Sequence, residues 1–169
     1  IDGISGLDTT QTSLTFNMPA NAVTATANYE DIEYTVTVNG GTGAGTYKEG
    51  ASVTITATVP TGKRFVEWTS ESGITFADKT SVTTTFTMPA GDVTATANYE
   101  DIEYTITVNG GAADKTKAKY GESVTVTANE PAEGKVFKGW QDASGKIVST
   151  EKSYTFTVNG ETTLTAVYE

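Results

Sequence analysis

Cysteine and histidine are both absent from this chain of 169 residues. Without them there are no disulfides, no zinc sites of the usual ligand types, no histidine-based triads and no thiol nucleophiles. The lack of cysteine fits an exported protein that does without disulfides, as it also fits many cytosolic proteins. No run of about 18 apolar residues occurs, so no segment is expected to cross a bilayer as a helix, and no signal-peptide pattern is found. The first residue is Ile rather than Met, which is expected of a segment from a longer polypeptide. Positive charge is scarce: 11 Lys and Arg stand against 21 Asp and Glu, giving a net charge of −10 and a pI near 4.4. A field of that sign repels nucleic acid and anionic membrane surfaces, so neither is an expected partner. Helical spacing is missing as well, since no window of 11 or more residues carries apolar positions three and four apart.

What the chain does have is repetition. Asn28-Tyr-Glu-Asp-Ile-Glu-Tyr-Thr-Val-Thr-Val-Asn-Gly40 returns 70 residues later as Asn98-Tyr-Glu-Asp-Ile-Glu-Tyr-Thr-Ile-Thr-Val-Asn-Gly110. Phe16-Asn-Met-Pro-Ala20 and Phe86-Thr-Met-Pro-Ala90 keep the same offset. A fixed period of this size marks a tandem array, in which each unit of about 70 residues is just large enough for a small core of its own. Residues 1–30 then correspond to the C-terminal half of a truncated repeat, 31–100 to a complete repeat and 101–169 to a diverged one. A cut near Ser70 is the alternative phase. The small shifts between the last two units fall in Gly-rich or Ser-rich stretches, where insertions are tolerated.

Apolar residues alternate with Thr in Tyr34-Thr-Val-Thr-Val38, Val53-Thr-Ile-Thr-Ala57, Val93-Thr-Ala-Thr-Ala97 and Val124-Thr-Val-Thr-Ala128. Period two predicts strands with one buried and one solvated face. Five per complete unit are expected, over 33–39, 51–59, 64–69, 81–88 and 92–99, and the last two are expected to form a hairpin. Its turn is Met88-Pro-Ala-Gly-Asp92 in one unit and Val158-Asn-Gly-Glu161 in the next, where Asn-Gly suits a type I′ turn. The fold class is therefore all-β, with tandem small antiparallel domains in an elongated array.

At the junction the apolar positions change parity, from Val23, Ala25, Ala27 and Tyr29 to Ile32, Tyr34, Val36 and Val38. A strand passing from one core to the next must present its other side, which a bulge near Glu30 and Asp31 would achieve. No Gly, Pro or Ser lies between Tyr29 and Tyr34, or between Tyr99 and Tyr104, so the connections are expected to be short and stiff. Residues 1–30 lack the strands that complete their sheet, leaving an edge expected to pair with a neighbouring chain.

An opening Tyr-Thr-Val-Thr-Val, a Gly-x-x-Val-Thr step, Pro-x-Gly-x-x-Phe-x-x-Trp, Phe-Thr-Met-Pro-Ala and a closing Val-Thr-Ala-Thr-Ala-Asn-Tyr-Glu together resemble the divergent internalin B-repeat family, which is related to the Listeria-Bacteroides repeats. The matching residues are Tyr34, Gly50, Val53, Pro60, Gly62, Phe65, Trp68, Phe86, Met88, Pro89, Val93 and Tyr99. The last unit keeps Tyr104, Gly121, Val124, Pro131, Gly134, Phe137, Trp140, Phe156 and Tyr168 but lacks Met-Pro-Ala. The resemblance implies repeats of a large secreted or wall-attached bacterial protein, a β-grasp-like unit, and a spacer or adhesive role facing host or envelope protein or glycan. It implies no catalytic residue and no cofactor. The Gly-rich stretch from Gly40 to Gly45 is unsuited to a helix, so a sandwich-like unit is the alternative to a β-grasp with its crossing helix.

Few residues offer themselves for chemistry. Trp68 and Trp140 follow Phe65 and Phe137 at equivalent places; they read first as packing anchors, with stacking on a sugar ring as the alternative. Glu30, Asp31 and Glu33, with their counterparts Glu100, Asp101 and Glu103, put carboxylates at each junction, where calcium needs clustered hard oxygens. Alternation divides each trio between two faces, and charged strand ends also discourage edge pairing. No pair of carboxylates is singled out for glycoside hydrolysis. Lys63 and Lys135 sit in turns, which leaves no buried lysine to name for an isopeptide crosslink.

Overall fold

The computed structural model describes residues 10–169. The chain divides into two compact units, Ile1–Ile32 and Glu33–Glu169. In the first, the described residues contain no strand. The edge expected of residues 1–30 is therefore not formed by residues 10–30, and the remainder of that expectation lies outside the described residues.

The second unit holds two repeats built the same way. The 33–102 repeat runs β1 (Glu33–Asn39), β2 (Gly41–Thr42), β3 (Gly45–Lys48), β4 (Ser52–Ala57), β5 (Lys63–Thr69), β6 (Thr83–Thr87) and β7 (Val93–Asp101). The 103–169 repeat runs β8 (Glu103–Asn109), β9 (Gly111–Ala113), β10 (Lys117–Lys119), β11 (Ser123–Ala128), β12 (Phe137–Asp142), β13 (Ile147–Ser149), β14 (Ser153–Thr157) and β15 (Thr162–Tyr168). Each repeat has two sheets. In the first they are ordered β3-β1-β7-β5 and β2-β4-β6; in the second, β10-β8-β15-β12-β13 and β14-β11-β9. Among the described residues there is no helix, so the sandwich-like alternative describes the unit and the crossing helix of a β-grasp is absent.

One core lies between the sheets of the 33–102 repeat. Val36, Trp68, Val93, Ala95 and Ala97 enter it from one sheet, and Val53, Ile55, Ala57 and Phe86 from the other. These are the apolar members of the alternating runs, and each fully buried Val or Ile contributes about 1.5–3 kcal/mol over an exposed one. Thr occupies the intervening positions, and its β-branched side chain suits a solvated pleat.

Three details depart from the sequence expectation. The fourth and fifth predicted strands do not form a hairpin. β6 pairs with β4 in one sheet, whereas β7 lies between β1 and β5 in the other. The segment 88–92 therefore carries the chain across the core, and Met88, 1% exposed, fills the crossing. Val158, wholly buried, does the same in the second repeat. Positive φ occurs there at neither Asn159 nor Gly160, so the type I′ turn, which needs it at both, is not made. Alternation states which face is buried but not which strand is the neighbour. The sheets are also not purely antiparallel: β1 runs parallel to β7, and β8 to β15. Finally, β2 and β3 arise in the Gly-rich stretch. Gly41 lets this ribbon approach β4 closely, because a Cβ there would meet the Thr56 carbonyl and lie 2.8 Å from the Trp68 ring.

Candidate functional site

The two tryptophans are core residues. Trp68 is 1% exposed, with Phe65 and Phe76 against it, and its Nε1–H donates to the Ser81 carbonyl at 3.2 Å. Trp140 is fully buried beside Phe137 and donates to the Lys152 carbonyl at 3.3 Å. Neither ring offers a face for stacking on a sugar, so the glycan-platform alternative at these positions is removed. The pattern Phe-x-x-Trp on an alternating strand with a bulge explains it: the ladder shifts between Phe65 and Glu67, bringing Phe65 and Trp68 to the same core.

Side chains that sequence reasoning left apart meet at the seam between the repeats. β7 ends at Asp101 and β8 begins at Glu103, so a single residue, Ile102, separates them. Its N–H donates to the Gly62 carbonyl at 2.8 Å. Parity changes across this residue, with Val93, Ala95 and Ala97 buried before it and Ile106 after it; the break between strands replaces the expected bulge. Asp101 is grasped from both sides. Lys63, at the start of β5, lies 2.6 Å from Oδ1, and Lys119, at the end of β10, lies 2.8 Å from Oδ2. Hydrogen bonds from Lys119 and then Lys63, followed by their charges, lower the Asp101 carboxyl from 3.8 to about 2. The same contact raises the Lys119 ammonium. Arg64 pairs with Glu100 alongside.

Shape reinforces charge here. Gly62 (φ +75) packs so closely on Tyr120 that a Cβ would run into the Tyr120 Cβ, whereas the equivalent Gly134 (φ +74) has open space around it. An open cleft of about 750 Å³ runs along the seam, lined by both charge signs, including Lys63, Arg64, Glu100, Asp101, Glu103 and Lys119. Lys119 and Tyr120 were not legible as seam residues, since nothing in the local sequence places β10 beside the preceding repeat.

Of the carboxylates considered for calcium at this junction, Asp101 is thus held by two ammonium groups and Glu100 by a guanidinium. Among the described residues no three Asp or Glu side chains cluster as metal ligands, and this includes Glu30, Asp31, Glu33, Glu100, Asp101 and Glu103. Lys63 and Asp101 form an ion pair at a partly exposed site, not a buried pair suited to crosslinking.

Further carboxylates act inside each repeat. Asp92 Oδ1 accepts from Thr35 N at 2.7 Å, and Glu161 Oε2 accepts from Thr105 N at 2.8 Å. Asp78 and Asp142 fold their own loops by accepting from Thr80 and Ser144 two residues on, which lowers both carboxyls. Asp78, Asp92, Asp142 and Glu161 therefore fasten backbone within their own repeats.

The divergent InlB B-repeat domain family matches residues 1–33, 34–103 and 102–169. The chain belongs to this family. Its three matches cover the whole sequence, and the last two coincide with the pair of two-sheet repeats joined at Ile102. No curated protein and no solved structure matches the chain.

Proposed function

We propose that this chain is a non-catalytic structural and adhesive spacer from a secreted or surface-attached bacterial protein, holding a distal region away from the envelope. Family membership supports the bacterial surface setting. The observation that carries the spacer reading is the seam: two repeats separated by one residue, with Asp101 bound by a lysine from each. A linker without slack transmits position, whereas a flexible one would let the repeats tumble apart. Binding of host or envelope protein along an open sheet edge is the second reading. It is favoured by β3 and β10 each having one strand neighbour and opposed by Lys48, Lys117 and Lys119 along those edges, which discourage strand addition.

Because the chain has no cysteine, Thr54→Cys and Thr127→Cys place one spin label on an exposed position of each repeat. A single narrow distance distribution is expected. A broad one, as from a freely rotating joint, would remove the spacer reading. A broad distribution together with saturable binding to a glycan array or an envelope protein by the unlabelled chain would replace it with the binding reading.

A further inference from the structure

In both repeats the first and last strands are side by side and run the same way. β1 pairs with β7 through Val36↔Val93, Thr37↔Thr94, Val38↔Ala95 and Asn39↔Thr96. β8 pairs with β15 through Ile106↔Thr162, Thr107↔Thr163, Val108↔Leu164 and Asn109↔Thr165. The chain enters each repeat at the start of one strand and leaves at the far end of the other. Tension between entry and exit therefore slides the pair lengthwise, and the bonds between the strands must give way together rather than in sequence.

Side chains reinforce that same pair of strands, twice over. Thr35 N–H on β1 donates to Asp92 just before β7, and Thr105 N–H on β8 donates to Glu161 just before β15. Asn39 Nδ2 donates to Thr96 Oγ1 at 3.3 Å, and Asn109 Nδ2 to Thr165 Oγ1 at 3.1 Å. Tyr99 on β7 donates its hydroxyl to the Gly40 carbonyl, and the Tyr168 hydroxyl lies between two acceptors, the Gly110 carbonyl at 3.0 Å and the Asn129 carbonyl at 2.8 Å, which share its proton. The acid differs between repeats, Asp in one and Glu in the other, yet the bond is the same. Cross-strand ties of three kinds thus recur on the one interface that end-to-end load would shear.

We propose that each repeat is a tension-bearing clamp, in which the parallel first and last strands and their Asp/Glu, Asn and Tyr ties resist a pull applied through the chain ends. This deepens the spacer reading and rests on it, because only a spacer anchored at both ends is loaded in this direction. Forced unfolding is governed by the unfolding barrier rather than by equilibrium stability, so the direction of loading decides the outcome.

The chain's lack of cysteine allows handles at chosen points on the full protein. One version carries Glu33→Cys and Glu100→Cys, which load β1 against β7 lengthwise. The other carries Glu33→Cys and Lys48→Cys, which lie opposite each other in the antiparallel β1–β3 ladder and open it one pair at a time. In an optical trap, a severalfold higher first rupture force is expected in the 33/100 geometry. Equal forces, or a lower force in that geometry, would overturn the clamp. The result is separable from the spacer reading: a high shear force together with a broad label distance would sink the spacer and keep the clamp, while equal forces with a narrow label distance would do the reverse.

Discussion

Residues 23–32 and 93–102 are identical in sequence, Val-Thr-Ala-Thr-Ala-Asn-Tyr-Glu-Asp-Ile, and they do not share a structure. The second copy is β7, central in its sheet, with Val93, Ala95 and Ala97 at most 7% exposed. The first has no regular structure; its alanines are exposed and Tyr29 is 91% exposed. Propensity is the same for both, so propensity does not make the strand. β7 exists because β1 and β5 lie on either side of it, and the sequence of residues 1–32 holds no counterpart of either. Strand preference is a statement about fitting a pleated, half-buried surface, and here one copy has that surface.

Substitutions made in parallel at the two copies sharpen this contrast. Ala95→Asp would put an unpaired carboxylate into a fully buried position and is expected to cost about 4 kcal/mol or more, unfolding the 33–102 repeat. Ala25→Asp should change stability by less than about 0.5 kcal/mol. Urea denaturation followed by circular dichroism measures both, and a similar cost at the two alanines would mean that the first copy is a packed strand after all. Tyr99→Phe deletes the hydroxyl bonded to Gly40 and is expected to cost about 1 kcal/mol, against no resolvable change for Tyr29→Phe.

The smallest effect is expected from acid at the end of β7. Asp101 titrates at about 2 in the folded chain against an ordinary 3.8, so its carboxylate favours folding above the higher value, and that contribution is lost as pH falls from about 4 toward 2. The pair is partly exposed, so the contribution is also screened by salt. Thermal melts at pH 5 and pH 2.5 should differ less for Asp101→Asn than for the parent chain. Equal acid losses in the two would take Asp101 out of the seam.

Much of this architecture is written in the order of residues. Alternating Thr and apolar positions reveal which face is buried, and the parity change around residue 102 marks the passage between cores, because period two assigns each side chain to a side. The burial of Trp68 and Trp140 follows from their flanking Phe residues. Pairing does not follow, since a strand such as β7 has the same alternation whether its neighbour runs with it or against it. For that reason the 88–92 segment reads as a hairpin turn and is instead a crossing. β2 escapes notice because close approach at Gly41, rather than side-chain preference, makes it a strand, and β3 because it is only four residues long. The seam was half legible: its carboxylates are conspicuous, while Lys63, Lys119 and Tyr120 are brought to them by tertiary packing.

The tyrosine at the seam has a consequence for shuffling such modules. Counting back from the shared glycine, Gly50 in one repeat and Gly121 in the other, Glu49 stands where Tyr120 does. Copies of the 103–169 block laid head to tail would set a phenol ring against each Gly134, whereas copies of the 33–102 block would set a carboxylate against each Gly62. The modules are thus not interchangeable bricks. An array of the 103–169 block would keep a phenol against glycine at every joint, and an array of the 33–102 block would lose it.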